Sequence, residues 1–131
     1  MGKTAITPVV KQGFSLVALD GNADAQVEVR FSGNADMEAT PVLETYLREL
    51  HDIALLDHLK LVVFDIADLD FMNSSSFKCF VTWVGQILKL PPESRYEARF
   101  LSNPALQWQR RSLEALHRFA PDVVAIDLIE R

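Results

Sequence analysis

The sequence is short of the residues that announce covalent or metal chemistry. Its single cysteine, Cys79, excludes an intramolecular disulfide and any cysteine-based zinc cluster, and it suits a reducing compartment. Histidines number three. His51 and His58 share a predicted helix with Asp52 and Asp57 close by, but a metal site needs at least three converging ligands, and nothing else is placed to complete one. No metal is expected. Thirteen Lys and Arg stand against 18 Asp and Glu, for a net charge of -5. Without a basic surplus or stripe, the balance argues against a general nucleic-acid binder, although a local basic patch stays open and Arg110-Arg111 is the only adjacent basic pair.

Long apolar runs are also missing. No stretch approaches the ~20 residues of a membrane span, and Met1 to Ile6 has no apolar core of signal-peptide length. Ile6 stands where a myristoylation signal needs Ser or Thr. A cytoplasmic protein without membrane insertion is expected. Glycine is sparse, five residues in all, and forms neither a P-loop nor a dinucleotide fingerprint. No cofactor is expected.

What remains is an ordinary globular composition, 49% apolar and 24% charged over 131 residues, expected to form one domain spanning 1-131. Phe14 to Leu19 and the alternating Val27, Val29 and Phe31 read as an antiparallel hairpin with its turn at Asp20-Gly21-Asn22 and its end at Ser32-Gly33-Asn34. Thr40 as cap and Pro41 at the first helical position predict a helix with an apolar face of Leu43, Tyr46, Leu47, Leu50, Ile53 and Ala54. Leu61 to Phe64 is apolar throughout, as expected of a strand covered by helices on both faces.

A second helix is predicted from about Ser74 to Leu90, stopped by Pro91-Pro92. Phe77, Phe80, Val81, Val84, Ile87 and Leu88 mark its inner face; Lys78, Thr82, Gln86 and Lys89 mark its wet one. Tyr96 to Leu101 is a strand. Asn103-Pro104 opens a third helix, with Leu106, Leu113, Leu116 and Ala120 on one stripe and Trp108, Ala115 and Phe119 on a second beside it. Pro121 ends it, and Val123 to Leu128 is the last strand. The order is ββαβαβαβ, an α/β fold with a mixed, mainly parallel sheet, an N-terminal hairpin and three helices.

The join at Asn73-Ser74-Ser75-Ser76 carries the functional interest. A helix N-terminus has unpaired N–H groups and the positive end of a dipole, so it accepts a cap, an anion or a phosphate. Asn73 and Ser74 are both good caps. Asp65, Asp68 and Asp70 cluster just before. A receiver-like phospho-acceptor Asp65 would want an acidic pair after the first strand, and only Asp20 stands there, so solvated carboxylates are expected instead. Ser74 lacks a Gly-x-Ser-x-Gly elbow and an indicated histidine partner, which argues against a nucleophile. Cys79 is expected to be a small buried apolar residue. Trp83 and Trp108 lie at the margins of their helix faces.

The element order, Ser32-Gly33-Asn34-Ala35-Asp36, Leu61-Val62-Val63-Phe64-Asp65 and Leu69-Asp70-Phe71-Met72-Asn73-Ser74-Ser75 together resemble the STAS domain, the fold of anti-sigma-factor antagonists and of sulfate-transporter tails, over about 14-128. Asn103-Pro104 through Trp108-Gln109 and Ser112-Leu113 resembles a small branch of stand-alone bacterial regulators within it. Asn73 replaces the family's usual aspartate. The resemblance implies a non-enzymatic protein-protein interaction module. It places regulatory phosphorylation at Ser74, with Ser75 as the lesser candidate, by a serine kinase that doubles as an anti-sigma factor, and reversal by a phosphatase. The implied docking surface is Asn73, Ser74, Ser75, Ser76, Lys78 and Thr82, with Trp108 as an aromatic anchor. A phosphorylation-independent scaffold subunit and a small-anion or ligand-binding domain stay open as alternatives.

Overall fold

The computed structural model describes residues 6–19 and 25–129. Along the chain run β1 (Val9–Val10), β2 (Phe14–Leu19), β3 (Gln26–Ala35), α1 (Ala39–Leu56), β4 (Leu61–Asp65), β5 (Leu69–Met72), α2 (Ser74–Leu88), a short 3-10 turn (Pro92–Ser94), β6 (Glu97–Ser102), α3 (Gln107–Phe119) and β7 (Val124–Leu128). The strands form one sheet in the order β1-β2-β3-β4-β6-β7, with β5 added to β3. β1, β2 and β3 pair antiparallel; every other pairing is parallel. The predicted hairpin, three helices and mainly parallel sheet are all present, and β1 and β5 are additions to the predicted order. The turn expected at Asp20-Gly21-Asn22 lies outside the described residues.

Ser32-Gly33-Asn34 does not end its strand. β3 continues to Ala35 through an irregularity at Gly33/Asn34, and beyond that point it pairs with β5. Gly33 makes the continuation feasible. Its φ is +99°, and a Cβ there would lie 2.3 Å from the Gly13 carbonyl oxygen, so only glycine fits.

Helices do not cover both faces of the sheet. The buried side chains of α1, α2 and α3 join one cluster with Leu16, Val29, Phe31, Val62, Phe64, Ala98 and Phe100, residues that alternate onto one face of their strands. Phe80 of α2 sits edge-on to Phe64 and Phe100, with ring centroids 5.1 and 5.2 Å away. The opposite face carries the ion pairs of Arg30 with Asp65 and of Arg99 with Glu97 and Asp127. Val63 lies between Glu28 and Arg99 in register. Long charged side chains cover apolar surface with their stems, so an apolar central strand needs no second helical layer.

Thr40 is not the cap of α1. Asp36 makes the turn instead, its Oδ1 accepting from Glu38 N and its carbonyl from Ala39 N. Thr40 is the second residue of the helix, and its hydroxyl bonds Ser76 Oγ of α2 at 2.9 Å. His58 takes a left-handed φ of 54° just past the end of α1, a position that usually favours glycine. The stripe of Trp108, Ala115 and Phe119 faces outward: Trp108 is half-buried, Ala115 and Phe119 exposed.

Candidate functional site

The parallel strands end at one edge of the sheet, and α2 starts there, immediately after β5. Asn73 adopts extended backbone angles and caps the helix: its Oδ1 accepts from Ser76 N at 2.8 Å. Its own N–H bonds the Ala35 carbonyl at 2.9 Å, which ties the cap to the end of β3. Ser74, the first helical residue, is exposed, and so is Ser75. Lys78 and Thr82 are exposed further along the same helix and line a shallow groove of about 230 Å³ between α1 and α2, with Glu44 and Arg48 on its other wall.

Ser76 does not belong to the surface. It is fully buried, bonded to Thr40 Oγ1 and donating to the Asp36 carbonyl at 3.4 Å. Helical period explains this, because Ser76 falls on the same face as Phe80 and Trp83. Trp83 is fully buried rather than marginal, and its indole N–H bonds the Tyr96 hydroxyl at 2.9 Å. Cys79 is half-buried, its Sγ 3.7 Å from the carbonyls of Thr40 and Ser75. Burial, reinforced by the Glu44 carboxylate, pushes its thiol pKa up, away from nucleophilic reactivity.

Sequence reasoning missed two exposed apolar residues at this edge: Met37, 82% exposed in the turn after β3, and Phe71, 48% exposed in β5 beside Asn34. A large apolar side chain just outside a strand end was the available signal.

It also missed what holds the edge in place. The loop from β4 to α2 has five consecutive carbonyls, and each accepts a hydrogen bond from outside its own strand. Gln109 Nε2 donates to Ile66 O at 2.6 Å and to Leu69 O at 3.0 Å. Asn103 Nδ2 donates to Ala67 O at 3.3 Å, Gly33 N to Asp68 O at 3.1 Å, and Trp108 Nε1 to Asp70 O at 2.8 Å. The other end of Gln109 accepts from Ser102 Oγ and Asn103 N. Gln109 is therefore a fully satisfied buried amide, and Asn103, Trp108 and Gln109 form a clamp on the loop that delivers Ser74. The indole N–H of Trp108 is committed to that clamp, and only its half-exposed ring remains for outside contact.

Asp65 is buried, with Oδ1 accepting from Ala67 N and Oδ2 facing Arg30. A receiver-like phospho-acceptor would have to be reachable, and this one is not. His51 and His58 do not converge on a metal: among the described residues no three His, Cys, Asp or Glu side chains are grouped to hold one. No helix among them is long and apolar enough to cross a membrane.

Three helices on one face of a mixed sheet, one of them starting in a serine-rich turn at the strand ends, define a STAS-like fold. The crystal structure of an anti-sigma factor antagonist from Mycobacterium paratuberculosis shares it: the TM-score is 0.61 over 86% of this chain and 85% of that one, at 19% sequence identity. No protein-family model matches the chain, and no curated protein matches it in sequence.

Proposed function

We propose that the protein is a cytoplasmic, non-catalytic regulatory module of the anti-sigma-factor-antagonist kind, which docks a protein partner through the start of α2 and is switched by phosphorylation of Ser74. The observation that carries this is the position of Ser74: an exposed hydroxyl on the first residue of a capped helix, after a loop held at five consecutive carbonyls, with Met37 and Phe71 exposed at the same edge. A phosphate there gains from the helix dipole and from first-turn N–H groups, and it adds about two negative charges to the docking surface. A partner that binds the bare hydroxyl beside two apolar side chains then rejects the charged form.

Ser75, Lys78 and Thr82 extend the surface along α2, and the ring of Trp108 borders it. The expected partners are a serine kinase that doubles as an anti-sigma factor and a phosphatase that reverses it. Incubation with a cognate serine kinase should place one phosphate on Ser74, detected by intact mass and lost in Ser74→Ala, and Ser74→Asp should weaken the partner complex. Absence of phosphate on protein from the native host, together with normal partner binding by both variants, would overturn the switch. A phosphorylation-independent scaffold is the second reading, favoured by the completeness of the Asn73 cap without any phosphate; under it, partner pull-down by Ser74→Ala and by Ser74→Asp is the same.

A further inference from the structure

The two flanks of α2 differ in chemistry. The strand order places α2 between α1 and α3 on one face of the sheet. Its α1 flank is mainly polar: Ser75, Thr82 and Gln86 line the groove shared with α1. At ~100° per residue, the opposite flank carries Phe77, Val81 and Leu88, all half-buried, with the exposed Ser74 at its head. α3 turns its stripe of Trp108, Ala115 and Phe119 toward that flank. The bond from Trp108 Nε1 to the carbonyl of Asp70, just before α2 begins, fixes which way the stripe points. Phe119, at the far end of the stripe, is 50% exposed. The two helices thus border an open trough with an apolar floor, the shape that takes a third helix along its length.

Charge decides the polar side of the occupant. The chain carries a net charge of -5, yet this part of it is basic. α2 contains no acidic residue and α3 only Glu114. Helical period sets Lys78 and Lys89 along the outer rim of α2, and Arg111 and Arg118 along the outer rim of α3, all four exposed. Glu114 falls on the side of α3 turned away from α2, and Asp70, Glu93 and Asp122 lie past the helix ends. A segment seated on the apolar floor meets cations on both sides, so its own polar residues should be acidic. The concave shape suits a rod rather than a flat bilayer.

Resting on the reading that this protein docks a protein partner, we propose that the trough between α2 and α3 binds an amphipathic helix of that partner, with its apolar stripe over Val81 and Phe119 and its carboxylates on Lys78, Lys89, Arg111 and Arg118. A phosphate on Ser74, at the head of the trough, repels those same carboxylates. The test is amide NMR of the full chain titrated with three stapled helices as long as α2. The first has a Leu stripe and Glu on its other faces; the second has Lys for each Glu; the third scatters the same Leu and Glu residues around the helix. The first should shift the amides of Phe77, Val81, Gly85 and Ala115 saturably, and the other two should bind about tenfold more weakly or less. Arg111→Glu with Arg118→Glu should weaken the first helix about tenfold. Phe119→Ala should weaken it as well, and Lys11→Glu with Lys60→Glu, the same change of charge elsewhere, should do far less. Binding that ignores Ser74→Asp would uphold the trough and count against the switch alone. No saturable shift with the acidic helix, equal binding of the basic one, or shifts centred on Thr82 and Gln86 would each overturn the proposal, whether or not a kinase phosphorylates Ser74. So would phosphatidylglycerol vesicles that move the trough amides when the acidic helix does not.

Discussion

The helices α2 and α3 begin at the same edge of the sheet and treat their polar residues in opposite ways. α2 is capped from outside by a half-buried amide, Asn73, and leaves the next two hydroxyls in solvent. α3 has no side-chain cap at Leu106 and turns its amide, Gln109, inward, where it makes four hydrogen bonds. The same chemical group is anchor in one place and boundary in the other. A surface hydroxyl can act as a precise recognition point only if the loop beneath it is fixed, and here the neighbouring helix fixes it.

The comparison breaks most readily at the anchor. Gln109→Ala leaves the Leu69 carbonyl, the Ser102 hydroxyl and the Asn103 N–H without their buried partner, while the Ile66 carbonyl keeps the Leu69 N–H, at a cost of about 3 kcal/mol given ~1–3 for each group so orphaned and incomplete additivity. Urea unfolding should show that loss. Hydrogen exchange should also rise across residues 66–73, and an exchange pattern that leaves this loop untouched would mean the clamp does not hold it. Asn73→Ala should cost about 1 kcal/mol, the usual worth of an N-cap. Asn73→Asp keeps the acceptor and puts a charge at the positive end of the dipole, so it should match or exceed the native stability by up to ~1 kcal/mol. The aspartate usual in STAS domains is thus compatible with this helix.

These differences explain what could be read in advance. Hydrophobic period located the helices and strands of the core because burial in one layer imposes it: Leu43, Leu47 and Leu50 of α1 and Phe80, Val84 and Ile87 of α2 all reach the predicted face. β5 escaped notice because four residues beside acidic side chains have no clear period. They form a strand only because Gly33 lets β3 run past its irregularity. The cap at Asn73 was legible from local chemistry, whereas Ser76 was not separated from Ser74 because a run of identical residues hides which one the helix turns inward. Gln109 was hidden differently. It occupies the place on the α3 stripe one turn before Leu113, and a polar residue in an apolar stripe was the sign of a buried anchor.

A third polar contact lies away from both helix starts and gives a pH readout independent of them. Trp83 N–H can only donate, so the Tyr96 oxygen accepts from it, and the same hydroxyl is hydrogen-bonded to His51 Nδ1. Burial lowers the His51 pKa from the ordinary 6.5, opposed by the Asp52 carboxylate. The unfolded chain therefore binds the proton more readily than the folded one. The resulting stability is complete above about pH 6.5 and falls on acidification toward the folded-state pKa. Denaturation midpoints measured from pH 7.5 to about 5 should decline by a modest amount in the native protein, and less steeply in His51→Gln.

The smallest expected effect is the most discriminating. Ser74→Ala removes an exposed hydroxyl that neither caps the helix nor enters the core, so its stability should stay within about 0.5 kcal/mol of native. Asn73→Ala, one residue earlier, should lose about twice that or more. If the order were reversed, the serine would be the true cap, and its identity would be accounted for by folding alone. With the order as expected, the fold gives no reason for a hydroxyl at position 74. A loss of partner binding in Ser74→Asp, in a protein as stable as the native one, would then assign that hydroxyl to recognition.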